Sequence, residues 1–315
     1  MNGARFLPRR LPERATIGIF APSGLVDDAT ALQRAVDYLQ RRGHRVIVDE
    51  AVDRRWKYFA GEDHERLAAI RRMVAHPDID LVIAARGGYG LSRLLPDIDF
   101  AAVAASGKLF LGFSDFTLFH LAALSAGAIS FAGPMAAVDL GRESVDPFTE
   151  YHLWETLGGA QHRIGEIACA HGVSPCNLQG PIWGGNLSLV VHLLGSRHLP
   201  DIDDGILFLE DVAEQPYHIE RMLLQLHAAG ILARQRALIL GQFTDCVPTT
   251  KSRAPYSMED VIESLRERLR IPVLTGLPFG HVAEKITIPV GSTARLALSE
   301  AGYTVTFSDY NLPNI

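Results

Sequence analysis

Across residues 16–135, short apolar runs rich in β-branched residues alternate with amphipathic stretches, and this alternation limits the fold more than any other feature of the chain. Residues 16–21 (TIGIFA) read as a buried strand stopped by Pro22-Ser23-Gly24. Asp27 and Asp28 can cap a helix carrying Leu32, Ala35, Val36 and Leu39 at helical spacing, and Gly43 ends it. Strands are expected at Arg45–Val48, 81–85, Leu109–Gly112 and 128–132, with helices at 63–74 and 115–125 between them. Strands separated by helices build a parallel, doubly wound sheet. Ligands gather at the carboxyl ends of such strands, which directs attention to the loops after Ala21, Ala85 and Gly112.

The rhythm changes after residue 140. Residues 141–180 are more polar and irregular, with Gly158, Gly159, Gly165 and Gly172 scattered through them, and read as a linker holding one short helix (147–157) and one strand. Helices follow at 187–194, 217–229 and 258–269, and strands at 206–209 and 237–240. Three final runs, 286–290, 295–299 and 304–308, alternate apolar and polar residues with no helix between them, which suggests a mixed or antiparallel sheet. The expected fold is therefore α/β: a doubly wound parallel-sheet domain over residues 1–140, a linker over 141–180, and an α+β domain with a mixed sheet over 181–315. A length of 315 residues, about twice a typical domain of roughly 150, agrees with two domains.

Charge narrows the partners. Thirty Lys and Arg against 36 Asp and Glu leave a net charge of −6, which repels nucleic acid and anionic lipid. Residues 116–138 contain no charged side chain, a run long enough for a bilayer, which takes about 20 residues. Ser125, Gly127, Ser130 and Gly133-Pro134 punctuate it as a buried helix, a turn and a strand, so no membrane span is expected. Arg9-Arg10 precede an apolar stretch too short for a twin-arginine signal. Cys169, Cys176 and Cys246 are odd in number and lack zinc spacing, so the chain reads as intracellular, with reduced thiols and no metal.

Four places carry possible chemistry. In Gly112-Phe113-Ser114-Asp115 a strand gives way to a helix, and a serine on such a turn is pushed out of the sheet beside helix-terminal amides. Equally, Ser114 is a good helix cap. Arg86-Gly87-Gly88-Tyr89-Gly90 follows another strand end, and its glycines permit an amide nest, or simply a tight turn. In Leu209-Glu210-Asp211 an apolar strand runs into two carboxylates, as an acid orienting a histidine requires or as a cap for the next helix would. His281, in Leu277-Pro278-Phe279-Gly280-His281, sits in a constrained loop as a base or as a structural residue. Arg86 is the candidate for holding an anionic group next to Ser114, with pairing to an acid such as Asp115 or Glu210 as its other reading.

The motifs ARGGYG (85–90), GFSD (112–115), WGGNL (183–187), LEDVAEQPYHIERMLLQL (209–226) and GLPFGHV (276–282) resemble, in order and over residues 16–290, the muropeptide LD-carboxypeptidases, a family of serine peptidases. The resemblance implies Ser114 as nucleophile, Glu210 as acid and His281 as base. It implies an oxyanion hole from the amides of Asp115 and Gly88, and no cofactor. It also implies a cytoplasmic homodimer that removes the terminal D-alanine from murein tetrapeptides during cell-wall recycling. Trp183 and Asn186 join Arg86 as candidate substrate contacts. A related branch cleaves aminoacyl-nucleotide antibiotics of the microcin type, and Trp183 stacked on a base would favour that activity. The remaining alternative is a non-catalytic ligand-binding protein in which Ser114 only caps a helix.

Overall fold

The computed structural model describes residues 5–169, 174–248 and 255–312. The strands are β1 (Thr16–Phe20), β2 (Arg45–Val48), β3 (Leu81–Ala84), β4 (Leu109–Gly112), β5 (Ser130–Ala132), β6 (His162–Ala168), β7 (Cys176–Asn186), β8 (Gly205–Val212), β9 (Gln235–Thr244), β10 (Val273–Leu274), β11 (Ile288–Val290), β12 (Thr293–Ser299) and β13 (Gly302–Ser308). The helices are α1 (Ala29–Arg41), α2 (Asp63–Ala75), α3 (Leu91–Leu94), α4 (Phe100–Ala105), α5 (Thr117–Ser125), α6 (Pro147–Gly158), α7 (Leu187–His192), α8 (Pro216–Ala228) and α9 (Met258–Arg268). Two sheets result, ordered β11-β5-β4-β3-β1-β2 and β10-β9-β8-β7-β12-β13-β6.

In the first sheet β1 to β5 run parallel, with β3 paired to both β1 and β4. Asp28 begins α1 by accepting the Ala31 N–H at 3.0 Å. Its apolar stripe, Ala31, Leu32, Ala35 and Leu39, faces the core. The second sheet is mixed: β7 to β10 are parallel, whereas β12 and β13 add antiparallel strands and β6 closes the edge.

One expectation needs correction. The run 286–290 does not extend the second sheet; β11 pairs antiparallel with β5, as Ile288↔Ala132 to Val290↔Ser130, and completes the first. Alternation of polar and apolar residues shows that a strand exists but not which sheet receives it. The segment read as a linker carries α6, β6 and the start of β7, while its residues 170–173 lie outside the described residues. The charge-free run 116–138 contains α5 and β5, and every residue of α5 except Ser125 is buried. α5 packs on β5, β7 and β11, so it lies between the two sheets. No helix among the described residues is long and apolar enough to cross a membrane.

Candidate active site

β4 ends at Gly112, Phe113 is extended, and Ser114 turns the chain into a 3₁₀ turn that feeds α5. The turn is tight enough to hold Ser114 at φ 62°, a left-handed backbone that costs a non-glycine residue on the order of 1–3 kcal/mol and is typical of exposed nucleophiles. A buried histidine fixes its base. His120 Nε2 donates to the Gly112 carbonyl at 2.8 Å and Nδ1 accepts from the Ser130 hydroxyl at 2.8 Å. Burial lowers its pKa to about 4, so it serves as a neutral brace. Sequence reading missed this residue, because a histidine inside an apolar helix carries no mark of its partners.

Ser114 does not cap the helix. Its Oγ lies 3.0 Å from His281 Nε2, and His281 Nδ1 lies 2.8 Å from Glu210 Oε2. Because the carboxylate can only accept, Nδ1 carries the proton, and Nε2 is left to accept from Ser114. Glu210 stands on β8 and is fully buried. The loop to His281 runs over the end of β9, where Gln242 N–H donates to the Phe279 carbonyl at 2.8 Å. Gly280 has φ 145°, and a Cβ there would meet the Gln242 carbonyl at 2.8 Å. Glycine is therefore required for the histidine to reach the carboxylate.

The other half of the site is the loop after β3. A Cβ on Gly87 would lie 2.9 Å from Ser114 Cβ and 3.1 Å from its Oγ, so this glycine lets the loop touch the Ser114 turn. Gly24 N–H donates to the Gly87 carbonyl at 3.0 Å. In a trans peptide the N–H points opposite to the carbonyl, so the Gly88 N–H faces away from Gly24. No described residue accepts from the N–H of Gly88 or Asp115. The Asp115 side chain closes the loop: its Oδ2 accepts the Leu91 N–H at 2.9 Å. Burial pushes this carboxyl above its usual range.

The three expected substrate contacts fare differently. Trp183 is buried in β7 with 1% exposure, and its indole N–H donates to Gln235 Oε1 at 2.9 Å. It is a core residue and cannot stack on a ligand base. Gly184 and Gly185 follow it in the strand at φ 135° and 138°, and their missing side chains make room for the Phe208 backbone and for Thr117. Asn186, also buried, donates from Nδ2 to Glu210 Oε1 at 3.3 Å and to Asp211 Oδ1 at 2.9 Å. Its own N–H donates to Thr117 Oγ1 at 3.0 Å, so the residue joins the acid on β8 to the helix behind Ser114. Asn186 contacts protein on every polar atom rather than a substrate. Arg86 pairs with Asp27 and donates to the Leu25 carbonyl, not to Asp115 or Glu210.

Among the described residues no group of three or more His, Cys, Asp or Glu side chains is placed to hold a metal ion. The arrangement can instead move a proton from Ser114 to His281 beside two unclaimed amides, the requirement for acyl transfer through an oxyanion.

Family comparison agrees in both halves. Residues 17–133 match the LD-carboxypeptidase N-terminal domain and residues 179–296 the LD-carboxypeptidase C-terminal domain. The chain is 32% identical over 297 residues to a protein of Bacillus subtilis described as a probable murein peptide carboxypeptidase, covering 94% of this chain and 92% of that one. It is 28% identical over 326 residues to a microcin self-immunity protein of Escherichia coli, covering 92% and 93%. The crystal structure of muramoyltetrapeptide carboxypeptidase from Oxalobacter formigenes superposes with a TM-score of 0.89 at 43% identity, covering 95% of this chain and 100% of that one. The chain belongs to the LD-carboxypeptidase family.

Proposed function

We propose that this LD-carboxypeptidase family member is a serine carboxypeptidase that hydrolyses an LD-peptide bond in murein tetrapeptides and releases the terminal D-alanine. The hydrogen-bonded array Ser114–His281–Glu210 carries the reading. His281 Nε2 takes the Ser114 proton as Oγ attacks the scissile carbonyl, and Glu210 steadies the imidazolium that forms. The carbonyl oxygen becomes an oxyanion received by the amides of Asp115 and Gly88. His281 returns the proton to the departing amine of D-alanine. A water then repeats the attack on the acyl-enzyme, restoring Ser114.

Names of relatives support the substrate: a muramoyltetrapeptide carboxypeptidase at 43% identity stands against a microcin self-immunity protein at 28%. Burial of Trp183 removes the feature that favoured nucleotide recognition. The setting we propose is a cytoplasmic homodimer acting in cell-wall recycling. Three cysteines, an odd number without zinc-ligand spacing, are compatible with a reducing compartment. Incubation with defined tri-, tetra- and pentapeptides, with products read by mass, tests the reaction. The tetrapeptide alone should lose D-alanine. Ser114→Ala should fold normally and lose turnover by about 10⁴-fold or more. Normal turnover in the folded variant would remove Ser114 from the mechanism.

A further inference from the structure

A carboxypeptidase must recognise the free carboxylate of its leaving residue, yet three cations near the Ser114 turn are already paired with carboxylates. Arg86 pairs with Asp27, Lys285 with Asp139 beneath the Phe113 ring, and the buried Arg66 with Asp63. A neutral donor stands beside the same loop. Tyr58 is 49% exposed, and its hydroxyl would lie 3.0 Å from a Cβ on the exposed Gly88. Its ring edge also approaches Gly24, so the side chain lies along the junction where Gly24 holds Gly87.

This tyrosine does not hang on a loose loop. Trp56 and Phe59 exchange both backbone hydrogen bonds, at 3.0 and 2.9 Å, around a turn with Lys57 at φ 55°. Leu25 N–H donates to the Tyr58 carbonyl at 3.2 Å. The Phe59 ring is buried against Tyr89, with the Arg66 guanidinium 4.6 Å over its face. The turn is built to present an exposed phenol in one place, which reduces the entropy lost when a ligand binds it.

Both hydroxyls border the glycine loop after β3. A Cβ on Gly87 would touch the Ser114 hydroxyl and one on Gly88 the Tyr58 hydroxyl, so the two hydroxyls address neighbouring residues of one loop. In the substrate, the scissile carbonyl and the terminal carboxylate of the leaving residue are separated by a single residue, so the group that receives that carboxylate belongs beside this same loop. We propose that the Tyr58 hydroxyl donates a hydrogen bond to the terminal carboxylate of the leaving amino acid and so sets the preference for a free carboxyl end. This rests on the carboxypeptidase reading above.

Wild type and Tyr58→Phe are compared on a tetrapeptide with a free carboxyl end and on its C-terminally amidated analogue. Reaction of Ser114 with a fluorophosphonate serves as the check that the site is intact. Deleting the hydroxyl should lower kcat/KM on the free acid by roughly 10- to 100-fold, the value of a hydrogen bond to a charged group. The amidated analogue should change by less than about threefold, as should the fluorophosphonate reaction. Equal losses on both peptides, or no loss on either, would overturn the Tyr58 assignment. A wild type that cleaves neither peptide would overturn the carboxypeptidase reading itself.

Discussion

Replacing Asn186 by aspartate keeps the shape of the side chain and exchanges the Nδ2 donor for an oxygen. That oxygen would stand about 3 Å from carboxylate oxygens of both Glu210 and Asp211, in a buried site. Two like charges 4 Å apart repel by about 4 kcal/mol at an effective dielectric of 20, so the new carboxyl has two such interactions to escape. It escapes by keeping its proton, which also restores a donor to one neighbour. Its folded-state pKa therefore rises well above the unfolded value of about 3.9. The folded state then binds the proton more tightly than the unfolded one. The electrostatic penalty is absent below the unfolded pKa and grows by about 1.4 kcal/mol per pH unit until the folded pKa is passed. If that pKa reaches 7, the variant is about 4 kcal/mol less stable than wild type at neutrality. Urea unfolding of wild type and variant at pH 5, 6, 7 and 8 reads the gap directly. The gap should widen from pH 5 upward. A gap that stays constant over this range would refute the placement of Asn186 between the carboxylates.

Two further perturbations bear on the loop after β3. Arg86→Ala removes the contacts to Asp27 and Leu25 and should slow cleavage of free-acid and amidated peptides to the same extent, by less than about 10-fold. A loss confined to the free acid would return Arg86 to the role of carboxylate receptor. Gly87→Ala drives a methyl to within 2.9 Å of Ser114 Cβ; the displaced turn should lower kcat on the order of 10²-fold. Thermal melting should show the variant still folded, and an unchanged kcat would contradict the contact.

The pieces of the site that depend on local chain geometry were legible in the sequence. Glycine before and acid after Ser114 marked a strand-to-helix turn, and an apolar run ending in Glu210 marked a buried strand with a carboxylate at its tip. Pro278 and Gly280 marked a fixed loop around His281. What the sequence could not reveal were partners far along the chain. Asp27 is 59 residues from Arg86, and Tyr58 sits on a turn whose position over Gly88 is set by loops from three separate strands. Trp183 was misjudged for the same reason. Its burial depends on close approach of the following glycines to the Phe208 backbone and Thr117, contacts from other parts of the chain that the WGGNL motif does not display. The same limit explains β11, since its alternation suits the edge of either sheet.

β11 also has a consequence for how the chain is made. The ribosome delivers β5 early and its edge partner only after almost all the rest has emerged. Until then the first sheet exposes a row of unpaired N–H and C=O groups next to an apolar helix, a surface prone to pairing with other nascent chains. A fragment ending near residue 140 would keep that edge open permanently, so an expression strategy that cuts the chain between its two sheets should yield insoluble halves. Fragments meant to reassemble are better divided within a surface turn that leaves β5 and β11 free to meet. His281 emerges just before β11, so closure of the first sheet and the contact of His281 with Ser114 wait for the same stretch of chain.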